Sequence, residues 1–250
     1  MYTVKKSLGQ HFLKDEAIID RIVAALMENP FSNLLEVGPG TGALTKRLLN
    51  IPNIHFKAVE LDDEKVDYLQ KHFPLLKGHI IHQSFLAMDK PFEEPFTIIG
   101  NFPYNISTQI LFRVLDWMDD VPVVIGMFQK EVAERAASGP GNKVYGVLSV
   151  LIQAYYDVEY LFDVLPGSFN PPPKINSGVI RLTRKKEMLL MKSARSYNLL
   201  VKTAFNQRRK TLRNAVKGLF EPDMLQDEIF NLRAEALSIH DFASLTFKMR

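Results

Sequence analysis

"LLEVGPGTGALT", Leu34–Thr45, carries a glycine-rich turn between a strand pattern and a helix pattern. An apolar run, Asn33–Val37, leads into Gly38, Gly40 and Gly42, and a helical pattern over Ala43–Leu49 follows. Glycines at a strand-to-helix turn permit a tight bend and let backbone N–H groups approach a ligand at the helix N-terminus. Further on, "AVELD" puts Glu60 at the end of a second apolar run, His55–Glu60, where a carboxylate can accept hydrogen bonds from ribose hydroxyls. Loop and acid together predict an adenosine-containing cofactor. The spacing is G-x-G-x-G, with Pro39 between the first two glycines and without the G-x-x-G tail that packs against a pyrophosphate. That tilts the reading toward S-adenosylmethionine, which carries no phosphate, over a nicotinamide dinucleotide.

Working outward, short apolar runs rich in β-branched residues recur near His79–Gln83, Phe96–Asn101, Pro122–Phe128, Val158–Val164 and Gly178–Leu182. With the two above they make seven predicted strands. Helical patterns fall between them at Glu16–Met27, Ala43–Leu49, Glu64–His72, Thr108–Trp117, Lys130–Ala137 and Tyr145–Tyr155. Strand alternating with helix implies an α/β fold whose mostly parallel sheet is covered on both faces. After Leu182 no strand signal returns. Ser193–Phe220 reads as one long helical pattern, followed by shorter ones at Pro222–Leu232 and Ala234–Lys248. The basic run Arg184-Lys185-Lys186 marks the seam, so residues 1–185 are expected as a cofactor-binding catalytic domain and 186–250 as a small all-helical one.

The run ending at Asn101 continues as "NFPYN", Asn101–Asn105. The fourth strand of such a sheet ends beside the cofactor cleft, so this segment projects where a substrate would meet the donor. The side-chain oxygen of Asn101 is one acceptor and the Phe102 carbonyl a second. Pro103 disfavours helical geometry at Phe102 and holds it extended, with its carbonyl outward. Tyr104 supplies a plane on which a flat ring can stack, a contact worth ~1–3 kcal/mol per base. Two acceptors and a stacking plane match the exocyclic amine of a nucleobase. Accepting both hydrogens of the adenine 6-amino group would favour a tetrahedral nitrogen whose lone pair can attack an electrophilic methyl. Positioning and electrostatics then do most of the catalysis, with no strong base.

Composition narrows the remaining classes. The chain has 250 residues, 46% of them hydrophobic and 24% charged, which is ordinary for a soluble protein. No run of about 18 apolar residues is present, and the N-terminus lacks the apolar segment of a signal peptide, so a cytoplasmic protein without a membrane partner is expected. With zero cysteines there is no thiol nucleophile, disulfide or thiolate metal site, and no metal is expected. The net charge of +3 hides an asymmetry: Arg181–Lys217 carries twelve cations against Glu187 alone, a local +11, which leaves −8 for the rest. A basic block of that size suggests a nucleic-acid partner. No coiled coil or apolar stripe is left over, and a monomer is expected.

These segments resemble the small-subunit ribosomal RNA adenine N6,N6-dimethyltransferases. "KKSLGQHFL" (Lys5–Leu13) is similar to the family's N-terminal motif, "LEVGPGTGALT" to its donor loop, "NFPYNIST" to its catalytic segment and "MFQKEVAERA" to the segment after the fifth strand. "PGNKVYGVLSVLIQ", "FNPPPKINSGVIRL" and "AFNQRRKTLRN" (Ala204–Asn214) resemble later family blocks. The resemblance implies a seven-stranded Rossmann-like methyltransferase sheet with a helical C-terminal domain. It implies that His11, Leu13, Gly38, Gly40, Glu60, Ser84 and Asn101 bind S-adenosylmethionine, and that Asn101, Phe102, Pro103 and Tyr104 form the catalytic segment. Tyr104 and Phe169 would stack on the target adenine, and Arg208, Arg209, Lys210 and Arg213 would contact RNA phosphates. Three positions depart from the pattern: His11 is often Asn, Phe102 usually Leu and Ser84 commonly Asp. The implied substrate is small-subunit (16S) ribosomal RNA within a 30S precursor, dimethylated at two adjacent adenosines. The rivals are a large-subunit RNA methyltransferase of the resistance type, against which "FNQRRKTLRN" and "PPPK" argue, and a non-catalytic RNA-binding assembly factor.

Overall fold

A computed structural model describes residues 11–250. In chain order its elements are β1 (Phe12–Leu13), α1 (Glu16–Met27), β2 (Asn33–Val37), α2 (Thr45–Leu48), β3 (His55–Glu60), α3 (Asp63–His72), β4 (Ile80–His82), β5 (Thr97–Asn101), α4 (Ser107–Asp116), β6 (Val123–Gln129), α5 (Lys130–Ala137), α6 (Val147–Gln153), β7 (Tyr156–Val164), β8 (Phe169–Asn170), β9 (Ser177–Arg184), α7 (Ala194–Asn206), α8 (Leu212–Ala215) and α9 (Ile239–Thr246). Seven strands form one sheet in the order β4-β3-β2-β5-β6-β9-β7. The pairings from β4 through β6 are parallel and β9 runs antiparallel to β6. This is the mostly parallel, Rossmann-like arrangement that the alternation predicts.

The inner strands are buried on both faces, which is why they read as unbroken apolar runs; all five residues of β2 are buried. Helix α1 begins where Asp15 accepts from the N–H groups of Ala17 and Ile18, and it turns Ile19, Ile22, Ala25 and Leu26 into the core. Asp15 also accepts from the Ser168 hydroxyl at 2.9 Å, a bond that holds its carboxyl below the usual range. After β2 the chain builds outward to β3 and β4, then crosses back to β5 and β6 on the other side of β2. The order reverses between β2 and β5, so the crevice lies past their carboxyl ends. Gly38 follows β2 there, and Asn101 closes β5.

Several features differ from the sequence reading, among them the helical pattern expected at Pro222–Leu232, which forms only short 3-10 turns at Met224–Gln226 and Glu228–Asn231. Phe12–Leu13 and Phe169–Asn170 form a separate two-stranded antiparallel ladder, pairing Phe12 with Asn170 and Leu13 with Phe169. Two-residue strands carry no periodicity to detect. The expected single helix over Ser193–Phe220 is also broken, α7 ending at Asn206 and α8 starting at Leu212. Gln207, Arg209 and Lys210 are exposed and the next buried side chain is Leu212, so no apolar anchor carries the helix through the five polar residues Gln207–Thr211.

The chain divides into two compact units. One runs to Ala133 and resumes over Val158–Arg184; the other joins Glu134–Asp157 to Lys185–Arg250. Relative to the partition expected at residue 185, Glu134–Asp157 clusters with the helical unit. The reason is packing: Tyr145 meets Phe205 at 6.1 Å between ring centroids, and Phe205 meets Phe242 of α9 at 5.9 Å. Tyr197, Leu200, Val201 and Ala204 give α7 its buried face.

Candidate active site

The glycine loop is set by backbone conformation. Gly40 and Gly42 have φ of +57° and +83°, in the left-handed region where a side chain is strained. A Cβ on Gly42 would lie 2.4 Å from the Phe73 ring, and one on Gly40 would lie 3.1 Å from Phe12. At the end of β3, Glu60 Oε1 accepts from the Leu61 and Asp62 N–H groups at 2.9 and 3.0 Å, and Oε2 accepts from Gly40 N–H at 3.2 Å. Burial nevertheless raises its pKa, with these three bonds opposing the shift. A carboxylate has about four lone-pair sites, so capacity remains for a hydroxyl.

Glu36, in β2, is 1% exposed and accepts from the Thr45 hydroxyl at 2.7 Å. Burial pushes its pKa up to about 8. The folded protein thus holds this proton up to about pH 8, while the unfolded chain releases it near 4.5. Stability is therefore lost as pH rises between those values. Glu36→Gln is expected to remove that slope: from pH 5 to 8 the native protein loses on the order of 2–4 kcal/mol more than the variant in denaturant titrations. Equal slopes for the two proteins would contradict a buried, protonated Glu36.

Across the crevice, Asn101 Nδ2 donates to the His11 carbonyl at 2.9 Å. That bond fixes which end of the amide is free, leaving Oδ1 as an acceptor. The Phe102 N–H donates to the Met127 carbonyl at 3.1 Å, and its ring, 1% exposed, packs 4.8 Å from Phe128. Pro103 follows with φ −57° and ψ 130°. The Tyr104 hydroxyl hydrogen-bonds Ser177 of β9, and its ring lies 5.3 Å from that of His11 at 33°. His11 Nδ1 is 2.9 Å from the Pro171 carbonyl, which can only accept, so Nδ1 carries the proton.

The glycine loop, the end of β3 and the segment after β5 open on one cavity of about 270 Å³. His11, Leu13, Gly38, Gly40, Glu60, Ser84, Asn101, Phe102, Pro103 and Tyr104 line it, as do Glu36, Leu61 and Gln83. The chemistry of this lining discriminates between cofactors. It holds two carboxyl groups and, among the described residues, no lysine or arginine. With Glu36 protonated, a pyrophosphate would face the Glu60 carboxylate without a cation, whereas a sulfonium with an ammonium group is attracted to it. The residues present therefore fit S-adenosylmethionine.

Phe169 does not join this lining. Its ring is 1% exposed and sits in the hydrophobic core with Leu13, Val164 and Val179, so the second stacking ring expected from the sequence faces inward. Conversely, Glu36 and Ser177 were not singled out beforehand. Glu36 left a signal, an acid inside an apolar strand; Ser177 left none. Lys5–Gln10 of the N-terminal motif lie outside the described residues. Among the described residues no helix is long and apolar enough to cross a membrane, and no cluster of three or more potential ligands could hold a metal.

The basic block lies mostly in the helical unit, and half of its cations are committed. Arg208 donates to the Lys143 carbonyl at 2.6 Å and lies 3.7 Å from Glu235, and Arg213 donates to the Leu225 carbonyl at 2.9 Å. Arg181 pairs with Glu28 and Glu159, Arg184 with Asp119, Lys185 with Asp157, and Lys192 donates to the Met249 carbonyl. Arg209 and Lys210 are exposed.

The family model described as ribosomal RNA adenine dimethylase matches residues 1–246. A ribosomal RNA small subunit methyltransferase A from Cytophaga hutchinsonii is 51% identical over 97% of this chain and 95% of the relative. Its namesake from Parabacteroides distasonis is 52% identical over 97% and 92%. Among solved structures, a dimethyladenosine transferase from Plasmodium falciparum superposes with TM-score 0.81 at 25% identity, covering 94% of this chain and 96% of that one. The 23S rRNA methyltransferase ErmE shares the fold, with TM-score 0.71 at 22% identity over 95% and 99%. A family match over almost the full length, with half-identical relatives across it, establishes that the chain belongs to the ribosomal RNA adenine dimethylase family.

Proposed function

We propose that this chain is an S-adenosylmethionine-dependent methyltransferase that dimethylates the N6 amine of two adjacent adenosines in small-subunit ribosomal RNA. It would act as a cytoplasmic monomer on a 30S precursor particle. One observation carries the reading: Asn101, whose Nδ2 is tied to the His11 carbonyl so that Oδ1 is left to accept, lines the same cavity as Glu60 and the glycine loop.

When bound, the donor supplies an electrophilic methyl group. Glu60 would accept from its ribose and offset part of its positive charge, while Glu36, protonated below about pH 8, would add no charge. Ser84 takes the place where the family commonly has an aspartate; a hydroxyl accepts from the adenine amine of the donor more weakly than a carboxylate. Tyr104 stacks on the target base, which must leave its helix to reach the cavity. Asn101 Oδ1 and the Phe102 carbonyl accept the two amine hydrogens and aim the nitrogen lone pair at the methyl. Each transfer would form a nitrogen–methyl bond as the sulfonium sulfur–methyl bond breaks, with S-adenosylhomocysteine as the leaving thioether and one amine proton released to water. The test is to incubate the protein with S-adenosylmethionine and either unmethylated small-subunit particles or naked large-subunit RNA, then digest and weigh the nucleosides. Dimethyladenosine in the small-subunit RNA alone supports the assignment; methylation of large-subunit RNA favours the resistance-type rival.

The helical unit would bind RNA through phosphates, reading shape more than base edges. Because Arg208 and Arg213 are engaged with protein carbonyls, the expected contributions of the four basic residues separate. Neutralising Arg209 or Lys210 is expected to lower the salt slope of RNA binding by about one unit each. Neutralising Arg208 or Arg213 should instead lower the melting temperature and change the slope less. Equal slope changes at all four positions would overturn this division.

A further inference from the structure

We propose that Ser177 is a positioning residue whose hydrogen bond to Tyr104 sustains the second methyl transfer more than the first. The inference rests on the reading of Tyr104 as the stacking plane for the target base. Ser177 opens β9, where it pairs in register with Gln129 of β6, and it is fully buried at 0% exposure. Its hydroxyl bonds that of Tyr104, which lies 73 residues earlier at the end of the catalytic segment. The Tyr104 ring is thus held at its hydroxyl tip by Ser177, beside its plane by the His11 ring, and through its backbone by Ser107 Oγ, which donates to the Tyr104 carbonyl at 3.1 Å.

The chemistry of the two transfers differs in what else holds the base. An unmodified adenine offers two N–H groups, to Asn101 Oδ1 and to the Phe102 carbonyl. After one transfer, a single N–H remains beside a methyl group, and one of the two acceptors has no hydrogen to accept. Orientation in the second round therefore depends more on the stacking plane and on whatever fixes that plane. With its hydroxyl bound to Ser177, Tyr104 keeps its ring angle without directing a polar group of its own at the amine. A tyrosine without that anchor can tip, and the base that has lost one amine contact is the one that tips with it.

The experiment uses the full chain, S-adenosylmethionine and unmethylated small-subunit particles, and follows mono- and dimethyladenosine by mass spectrometry through a time course. Ser177→Ala is expected to slow the second transfer roughly three- to tenfold relative to the first, the worth of one hydrogen bond, so that monomethyladenosine accumulates. Donor affinity should be unchanged. Tyr104→Phe removes the other half of the same bond without touching the buried serine, so it should give the same product ratio and supports the inference even if Ser177→Ala folds poorly. Ser177→Ala/Tyr104→Phe should match either single variant. An unchanged mono-to-dimethyl ratio in Tyr104→Phe, or additive effects in the double variant, overturns the role of Ser177. Tyr104→Ala separates the two claims: full activity in that variant would remove Tyr104 from base stacking altogether.

Discussion

Asn101→Ala is expected to lower single-turnover methyl transfer by about 10²–10³-fold, the scale seen when one preorganised polar group is removed from a reacting centre. Donor affinity should stay within a few-fold, because Glu60, the glycine loop and the rest of the lining are untouched. The two readouts together are diagnostic. Asn101 performs two tasks through one amide: Nδ2 holds the His11 carbonyl at 2.9 Å, and Oδ1 is thereby left to accept. Asn101→Asp keeps an oxygen facing the cavity but loses the donor, placing a carboxylate against a carbonyl. It should retain more transfer than alanine while loosening the attachment of β1. Transfer rates in Asn101→Ala that equal those of the native protein would remove this side chain from the chemistry.

A second substitution acts from a glycine that does not itself line the cavity. Gly100 of β5 and Gly126 of β6 are register partners, and the Phe102 ring lies on them. A Cβ at Gly126 would stand 2.3 Å from Phe102 and 2.5 Å from Phe128. Gly126→Ala must therefore displace both rings, at a cost on the order of 2–3 kcal/mol for overpacking a filled core. For a chain of this length that corresponds to a fall in melting temperature of roughly 5–10 °C. The Phe102 carbonyl moves with its ring, so transfer should fall alongside stability. Adding Phe102→Leu, the residue usual in the family, removes the ring atoms that clash and should recover part of both losses. A Gly126→Ala protein with native melting temperature and activity would show that the Phe102 ring does not fix the segment.

This pair of glycines also shows why only part of the site was legible in the sequence. Strand-helix alternation could be read directly, because strands buried on both faces are continuous apolar runs, and Gly38, Gly40 and Glu60 stand at the spacing that a donor turn requires. Asn101 and Tyr104 were legible because an amide, a proline and an aromatic ring follow a buried strand in order. Phe169 was not: an aromatic residue in a two-residue strand can face either way, and the choice is made by Leu13 across the ladder and by the core beneath it. Ser177 could not be found because its partner is Tyr104, and nothing local links them. The interruption after Asn206 escaped because glutamine, arginine and lysine are good helix formers. What stops the helix is the absence of a buried side chain between Ala204 and Leu212.

The cavity between the Gly38 turn and Asn101, which the Glu60 carboxylate lines and no lysine or arginine among the described residues enters, takes a cationic adenosine donor. Isothermal titration of the full-length protein with S-adenosylmethionine, and separately with NADH, tests it most directly. One-to-one binding of S-adenosylmethionine, lost in Glu60→Ala, with no heat from NADH, is the predicted result. Saturable binding of NADH at that site, or no binding of S-adenosylmethionine by a folded protein, would contradict it.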